Sequence, residues 1–559
     1  MKDEIKAAIQ NALTALQIEA TDFVVDFPTD KTTTADFFSN VAMVLSKQLG
    51  KAPIEIARSI VDVFSMGTVV AEVAGPGFIN FYINKEWYKN QLTALLANEA
   101  QWGRGTAQKG ELVLVEYTSP NLFKPLHIGN LVGNIIGESL TRLFEYQGAT
   151  VKRLNYPSDI GLTVAKAVWG LAKTAGDPED ILQRGEAYRF GNDAYENDEE
   201  AKAEIVAVNQ ALYAGSDASL AGLRAKGIAT SKRQLDSICA RLGTTFDAVI
   251  FESDAAPIGT ETVKQNIGRV FEESDGAVVF KGEKVGLHTR VFLNSQGLPT
   301  YEAKDVGNFA HKRALFPEWT VSIVVTGNEQ TEYFKVIYAA IKELFPDIEA
   351  TNKKLEHIPT GFLTLTTGKM SSRKGNVLTG ESLLGEMEEA AREKAAETRT
   401  DNIDQLTEEV AVASLKYQIL RQAVGTNIVF DKEKALSFEG DSGPYLQYTY
   451  ARIRSVLEKA AEAGVSPDTQ LPPPQPYAVE KLLARFPAVL ETALAERAPH
   501  KVAGYLTELA GVFNSFYATE KIADAADQYA PYKAAVARAV GQTLKNGLWT
   551  LGIKAPERM

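Results

Sequence analysis

Two groups of residues, His127-Ile128-Gly129-Asn130 and, far downstream, Lys369-Met370-Ser371-Ser372-Arg373-Lys374-Gly375, are of types that can grip a polyphosphate. A glycine beside a histidine where a strand turns into a helix lets a nucleotide approach the backbone. The unpaired N–H groups of the first helical turn attract anionic phosphate. The second group sets three cations and two hydroxyls in a glycine-punctuated stretch, Thr366 to Leu378, suited to closing over phosphate oxygens. Each group alone is unspecific. A histidine next to glycine is more often a turn or cap residue, and a basic loop is more often a solvated surface. Together, and in this order, they read as the two sides of an ATP clamp.

Such a clamp needs elements to position it. Leu112-Val113-Leu114-Val115-Glu116-Tyr117 reads as a strand just before the first group, and Leu131 to Tyr146 as a helix just after it. From about 108 to 375 strand-like and helix-like runs alternate, as in an α/β, doubly wound parallel sheet of Rossmann type. Val321 to Thr326 is the clearest buried strand, ending at Gly327. Between about 165 and 260 the pattern is helical, with polar interruptions at Pro178-Glu179-Asp180, Glu196 to Glu200 and Lys232-Arg233-Gln234. This span reads as an insertion that separates the two groups in sequence. The first 95 residues read as α+β. Phe37 to Leu49 has helical spacing, and Thr68 to Val73 and Gly77 to Ile83 read as strands joined at Gly75-Pro76-Gly77. Beyond the basic loop, helices dominate. They comprise a charged, alanine-rich stretch from Glu386 to Arg399 and amphipathic stretches Lys501 to Lys521 and Ala530 to Gly547. Ser466 to Pro476 carries three consecutive prolines and must be an exposed connection. The expected division is 1–95, 96–375 with its insertion at about 165–260, a helical connector at 376–430, and an all-α bundle at 431–559.

A chain of 559 residues, 45% of them hydrophobic, has room for three or four domains with real cores. The single cysteine, Cys239, excludes an internal disulfide and a multi-cysteine zinc site; it suits a reducing cytoplasm and reads as a small core residue. The N-terminus lacks the apolar core of a signal peptide, and no apolar run is long enough to span a bilayer. A soluble, cytoplasmic protein is expected, with no membrane and no DNA partner. The net charge of −12 argues against a generic polyanion binder, so any RNA site must be a local basic face on an acidic body.

The flanking residues sharpen this to a family. Glu116-Tyr117-Thr118-Ser119-Pro120-Asn121-Leu122-Phe123-Lys124-Pro125-Leu126, Tyr301-Glu302-Ala303-Lys304-Asp305-Val306-Gly307, the run from Asp441 to Arg454 and the closing Ala555-Pro556-Glu557-Arg558-Met559 resemble segments of arginyl-tRNA synthetases, a class I group. The resemblance runs from near residue 27 to the last residue. It implies a monomeric arginine–tRNA ligase acting on ATP, arginine and tRNA(Arg), with Mg²⁺ carried by the nucleotide and no metal site of its own. Lys124, His127, Lys369, Arg373 and Lys374 would be catalytic, and His127, Gly129, Asn130, Met370, Ser371 and Ser372 would hold ATP. Two positions depart from the class I pattern. Asn130 stands where histidine is commoner, and Ser372 stands where many members carry a second lysine, a loss that Lys124 is thought to offset.

For the amino acid, Asp305 and Tyr301 match the family's side-chain-binding positions and lie four apart, so a helix would point both into one cleft. Glu252 would add a second carboxylate. Ser119, Asn121 and Gln330 match positions that hold the α-amino and α-carboxyl groups, and Glu116 supports that wall. Tyr448, Arg452, Tyr517 and Met559 match anticodon-reading positions in the bundle, and Asn80 and Phe81 belong to the tRNA-contacting N-terminal domain. Isolated, Asp305 would read as a solvated acid and the two tyrosines as helix packing. Two rivals remain: a small-molecule adenylating ligase of the same fold, indifferent to both terminal domains, and a tRNA-binding paralogue without catalysis. The intact Lys124, His127 and Asp305 argue against the second.

Overall fold

The computed structural model describes residues 1–19, 22–28, 33–366, 379–394 and 402–559. Five parallel strands form the central sheet: β1 (Leu112–Glu116), β2 (Thr150–Asn155), β3 (Ala248–Val249), β4 (Val321–Gly327) and β5 (Lys354–Thr360). Their order is β5-β4-β1-β2-β3. β1 is apolar at Val113, Leu114 and Val115, all buried, as a strand covered on both faces must be. The direction of winding reverses between β1 and β4, so the carboxyl ends of these neighbours flank a crevice where doubly wound sheets take ligands.

The helix Ile128–Tyr146 follows β1 and packs tightly on the sheet, because a Cβ at Gly137 would overlap the ring of Tyr117. Beneath the crevice Tyr117 Oη donates to Glu138 Oε2 at 2.6 Å, and Glu138 also accepts from Arg142 Nε at 2.7 Å and Arg153 Nε at 3.1 Å. Burial alone would raise the Glu138 carboxyl, but the two guanidinium groups hold it below the usual range. A depressed folded pKa adds stability above the ordinary carboxylate pKa, and that stability is lost as pH falls through the folded value. Glu138→Gln, which strips both arginines of their counter-charge, is expected to lower the urea-unfolding free energy by about 3 kcal/mol at pH 7.

The same helix is tied to the C-terminal segment. Ser139 Oγ donates to the Thr550 carbonyl (2.9 Å) and Arg142 Nη1 to that of Trp549 (3.1 Å). The fully buried Lys416 donates to the carbonyls of Leu242 (2.6 Å) and Gly552 (2.5 Å), and burial pushes its ammonium down to about 7.

Helices Leu162–Thr174, Ile181–Asn197, Glu199–Ala214 and Ala218–Arg241 fill most of the span expected as an insertion and build a core of their own. Lys232-Arg233-Gln234 does not interrupt them. It is a polar turn inside the last helix, where Lys232 pairs with Asp236 four residues on. Within the same expected span the chain rejoins the sheet at β3. A small antiparallel sheet, Glu272–Ser274, Ala277–Phe280 and Arg290–Leu293, has no counterpart in the sequence reading, because strands of three or four residues carry too little periodicity.

These elements belong to a compact unit of residues 103–452, 487–510 and 544–559; a second unit comprises 1–102, 453–486 and 511–543. The helices Gly443–Glu462, Ala478–Ala495, Pro499–Thr519 and Ala530–Thr550 contribute segments to both. In the second unit the strands Val25–Asp26, Phe37–Ser39, Phe78–Ile83 and Val69–Ala74 form an antiparallel sheet in that order. Phe37–Ser39 is therefore a strand, and the helix expected from Phe37 begins at Val41. Phe37, Val41 and Leu45 share an apolar spacing that fits both states, and pairing with Phe78–Ile83 decides it. No described helix is long and apolar enough to cross a membrane.

Candidate active site

The crevice wall begins with a strained turn. Thr118, just past β1, has φ 72°, a conformation costly for a β-branched residue. Asn130 Nδ2 donates to its carbonyl (3.2 Å), and Asn134 Nδ2 donates to its hydroxyl (3.0 Å). Asn134 in turn accepts from Thr244 Oγ1 (3.0 Å). The turn so held presents Ser119, which accepts from the Tyr156 N–H (3.4 Å), and Asn121, which accepts from the Phe123 N–H (3.1 Å).

His127 is the N-cap of the helix Ile128–Tyr146. Its N–H donates to Asn130 Oδ1 (3.2 Å), so both ends of the Asn130 amide are engaged by the protein itself. Desolvation and then the Lys124 ammonium lower the His127 pKa, with Glu329 opposing, which keeps the ring neutral at pH 7. A Cβ at Gly129 would lie 3.0 Å from the His127 ring, so glycine gives the imidazole its place. Lys124 Nζ stands 4.6 Å from the centre of the Tyr188 ring.

The second sequence group, Lys369, Met370, Ser371, Ser372, Arg373 and Lys374, lies outside the described residues. The chain reappears beside the first group: Thr379 bridges His127 and the Gly380 N–H donates to the Leu126 carbonyl at 2.7 Å. Thr379 and Gly380 thus lie at the helix N-terminus.

Deeper in the crevice three acids gather on three elements. Glu116 ends β1 and accepts from Asn308 Nδ2 and Lys312 Nζ, each at 2.8 Å. Glu252 opens the helix Glu252–Gln265 and is paired with Lys304, both buried. Burial raises the Glu252 carboxyl against the pull of that ammonium. Asp305, on the helix Tyr301–Leu315, accepts from Tyr333 Oη at 2.5 Å. Burial pushes its carboxyl up to about 7; the Tyr333 hydroxyl and Lys312 oppose this, while Glu116 and Glu252 add to it. The buried Tyr156 hydroxyl beside these acids has no hydrogen-bond partner among the described residues. The two helices meet through glycine: a Cβ on Gly259 would overlap the Ala303 carbonyl, and one on Gly307 the Ala255 carbonyl.

Glu116, Glu252 and Asp305 lie near one another, while the four-residue spacing speaks only for Tyr301 beside Asp305 on one helix. Tyr301 is exposed, its ring 4.2 Å from Lys304 Nζ, and Gln330 closes the short turn Asn328–Gln330 after β4. Sequence reasoning missed Lys304, Lys312, Tyr156 and Tyr333. Lys304 adjoins Asp305 in the quoted motif and Tyr333 follows Gln330 by three, which was the available signal.

The positions expected to meet RNA divide differently. Phe81 is fully buried, 5.3 Å from Phe64, so its ring is core and not an RNA contact; strand alternation puts Asn80 on the opposite, partly exposed face. Tyr448 is exposed with the Arg452 guanidinium 4.8 Å from its ring centre. In the other unit Tyr517 is exposed and stacked on Phe513 at 6.4 Å. Met559 is partly exposed. Cys239 is buried, and its thiol is pushed up to about 12.

Comparison with known proteins bears on all of this. Residues 91–432 match the family described as tRNA synthetases class I (R), catalytic domain; 446–559 match the DALR anticodon binding domain, and 2–83 the arginyl tRNA synthetase N terminal domain. An arginine–tRNA ligase of Fusobacterium nucleatum is 30% identical over 544 residues, covering 94% of this chain and 93% of its own. One from Ligilactobacillus salivarius is 29% identical with both chains covered in full. The structure of Thermus thermophilus arginyl-tRNA synthetase matches with a TM-score of 0.80 and 25% identity over 100% of both chains. With its doubly wound sheet, its N-terminal domain and its helical C-terminal domain, the chain belongs to the class I arginyl-tRNA synthetase family.

Proposed function

We propose that this crevice adenylates arginine with ATP and then passes the arginyl group to the 3′-terminal adenosine of tRNA(Arg). In the first step an arginine carboxylate oxygen bonds to the α-phosphorus as the bond to pyrophosphate breaks. Negative charge grows on phosphate oxygens, so positioned donors and cations supply most of the acceleration. The neutral His127 ring donates a hydrogen bond there, while Lys124, Lys369, Arg373 and Lys374 neutralise charge. Gly129, Met370, Ser371 and Ser372 line the nucleotide, and Asn130 acts by fixing His127 and the Thr118 turn. Mg²⁺, bound through phosphate and water, would shield the β- and γ-phosphates. In the second step a ribose hydroxyl attacks the carbonyl carbon and AMP leaves, so no protein nucleophile is needed.

Ser119, Asn121 and Gln330 hold the α-amino and α-carboxyl groups, Tyr301 covers the side chain, and Asp305 faces the guanidinium. The observation that carries the substrate assignment is that, among the described residues, Asp305 alone of the three acids forms no ion pair. Asn80, Tyr448, Arg452, Tyr517 and Met559 offer RNA the aromatic faces and polar edges that unpaired bases require. The division into an N-terminal tRNA-contacting domain (1–95), a catalytic domain with insertion (96–375), a connector (376–430) and an anticodon-binding domain (431–559) follows from this assignment.

Aminoacylation with each amino acid, with and without tRNA, tests the reading. Charging of lysine, or none with arginine, would defeat it; activity that survives removal of a terminal domain would favour the small-molecule ligase. His127→Ala is expected to slow adenylation about 100-fold and to leave tRNA affinity unchanged in filter binding.

A further inference from the structure

Charges in the pocket do not balance. Glu116 has Lys312 and Glu252 has Lys304, but Asp305 has only a phenol, and no described lysine or arginine forms an ion pair with it. The buried Tyr156 hydroxyl beside them is also unpartnered. With all three acids ionised, the pocket is therefore one cation short. Asp305 is partly buried, and a carboxylate withdrawn from full hydration without a cation is costly. Two species can make up the deficit: a proton on the acid itself, or a guanidinium, which cannot lose its own charge at any ordinary pH.

We propose that arginine enters this pocket by exchanging its guanidinium for a proton on Asp305, and that Tyr333 is the positioning residue that sets the exchange. The proposal rests on the arginine-pocket reading above. In the exchange the Asp305 O–H bond breaks, its electron pair stays on the carboxylate, and the proton leaves to solvent; the guanidinium keeps its own protons. Glu116 and Tyr156 face Asp305 from the sheet, Glu252 from the neighbouring helix, and Lys312 from its own helix. Tyr333 and Tyr338 face it from the helix Thr331–Leu344. Arg290, 5.0 Å from the Tyr333 ring centre, is already paired with Glu302. Among the described residues only Tyr333 touches Asp305 as a donor, and its hydrogen bond favours the ionised acid.

Calorimetric titration of the full chain with L-arginine, in two buffers of different ionisation heat, counts protons released per arginine bound. A midpoint of about 7 predicts about 0.9 proton at pH 6 and about 0.1 at pH 8. Binding without proton exchange at either pH overturns the proposal and leaves the pocket reading standing. Failure of arginine to bind overturns both. Tyr333→Phe removes the donor, so proton release at pH 8 should rise. The KM for arginine should rise about fivefold at pH 7, approach about tenfold near pH 5 and recover by pH 9, as a one-unit shift requires. A KM increase that is flat with pH would mean that Tyr333 serves packing alone, and would remove it from the proposal.

Discussion

Asp305→Asn should abolish most arginine-dependent pyrophosphate exchange while the protein stays folded, with kcat/KM for arginine falling about 1000-fold. The carboxamide keeps the shape of the acid and still accepts from Tyr333, so the change removes charge and little else. Truncating one side of a desolvated charge pair costs about 2–5 kcal/mol, which brackets that loss. The control is Glu252→Gln. That residue already has Lys304, so its loss strands a buried ammonium and should show first as lost stability. A larger effect of Glu252→Gln on arginine KM would exchange the roles of the two acids. Stability supplies a second signature. The folded Asp305 pKa lies above its unfolded value, so ionisation destabilises the native state progressively as pH rises from about 4 to about 7. Asp305→Asn should therefore melt higher than the parent at pH 8 and equal to it near pH 4. A site that gives up stability for affinity behaves this way.

Gly307→Ala should be among the most damaging single methyls in the catalytic unit. Its Cβ would enter the Ala255 carbonyl, which is backbone and cannot rotate away. The helices Glu252–Gln265 and Tyr301–Leu315 would have to part, at about 2–4 kcal/mol in urea unfolding. Because Glu252 and Asp305 ride on these two helices, the arginine KM should rise as well. Gly385→Ala is the matching control: that position lies inside the helix Gly380–Lys394 with nothing near its Cβ, so alanine should stabilise by about 0.5–1 kcal/mol. If Gly307→Ala proved as benign, the close helix approach would not be what spaces the acids.

What the sequence made legible follows from which forces are local. The apolar run at Leu112–Glu116 and the cap at His127 announce themselves within a few residues, so the β1 turn and its helix were readable. Asp305 was singled out by the resemblance and by a helical spacing from Tyr301, and the helix Tyr301–Leu315 is what forms there. The counter-ions were not. A lysine in a helix ordinarily reads as solvated, and Lys304 and Lys312 are buried only because separate elements close over them. Tyr333 lies 28 residues from its acceptor, a contact that only the tertiary fold creates. The Asn130 amide looked free for nucleotide, yet it is engaged by a strained Thr118 whose backbone angle no sequence pattern reveals.

The carbonyls that receive Ser139, Arg142 and Lys416 have a consequence for how the molecule is made. The acceptors for Ser139 and Arg142 lie 411 and 407 residues downstream. At ribosomal speeds of about 5–20 residues per second, they emerge on the order of 20–80 s after their donors. Until then Ser139 Oγ and Arg142 Nη1 lack these acceptors, and Lys416, which can already reach the Leu242 carbonyl, lacks the second of its two. These bonds between the helix Ile128–Tyr146 and the C-terminal segment can therefore close only after the last helix has been made.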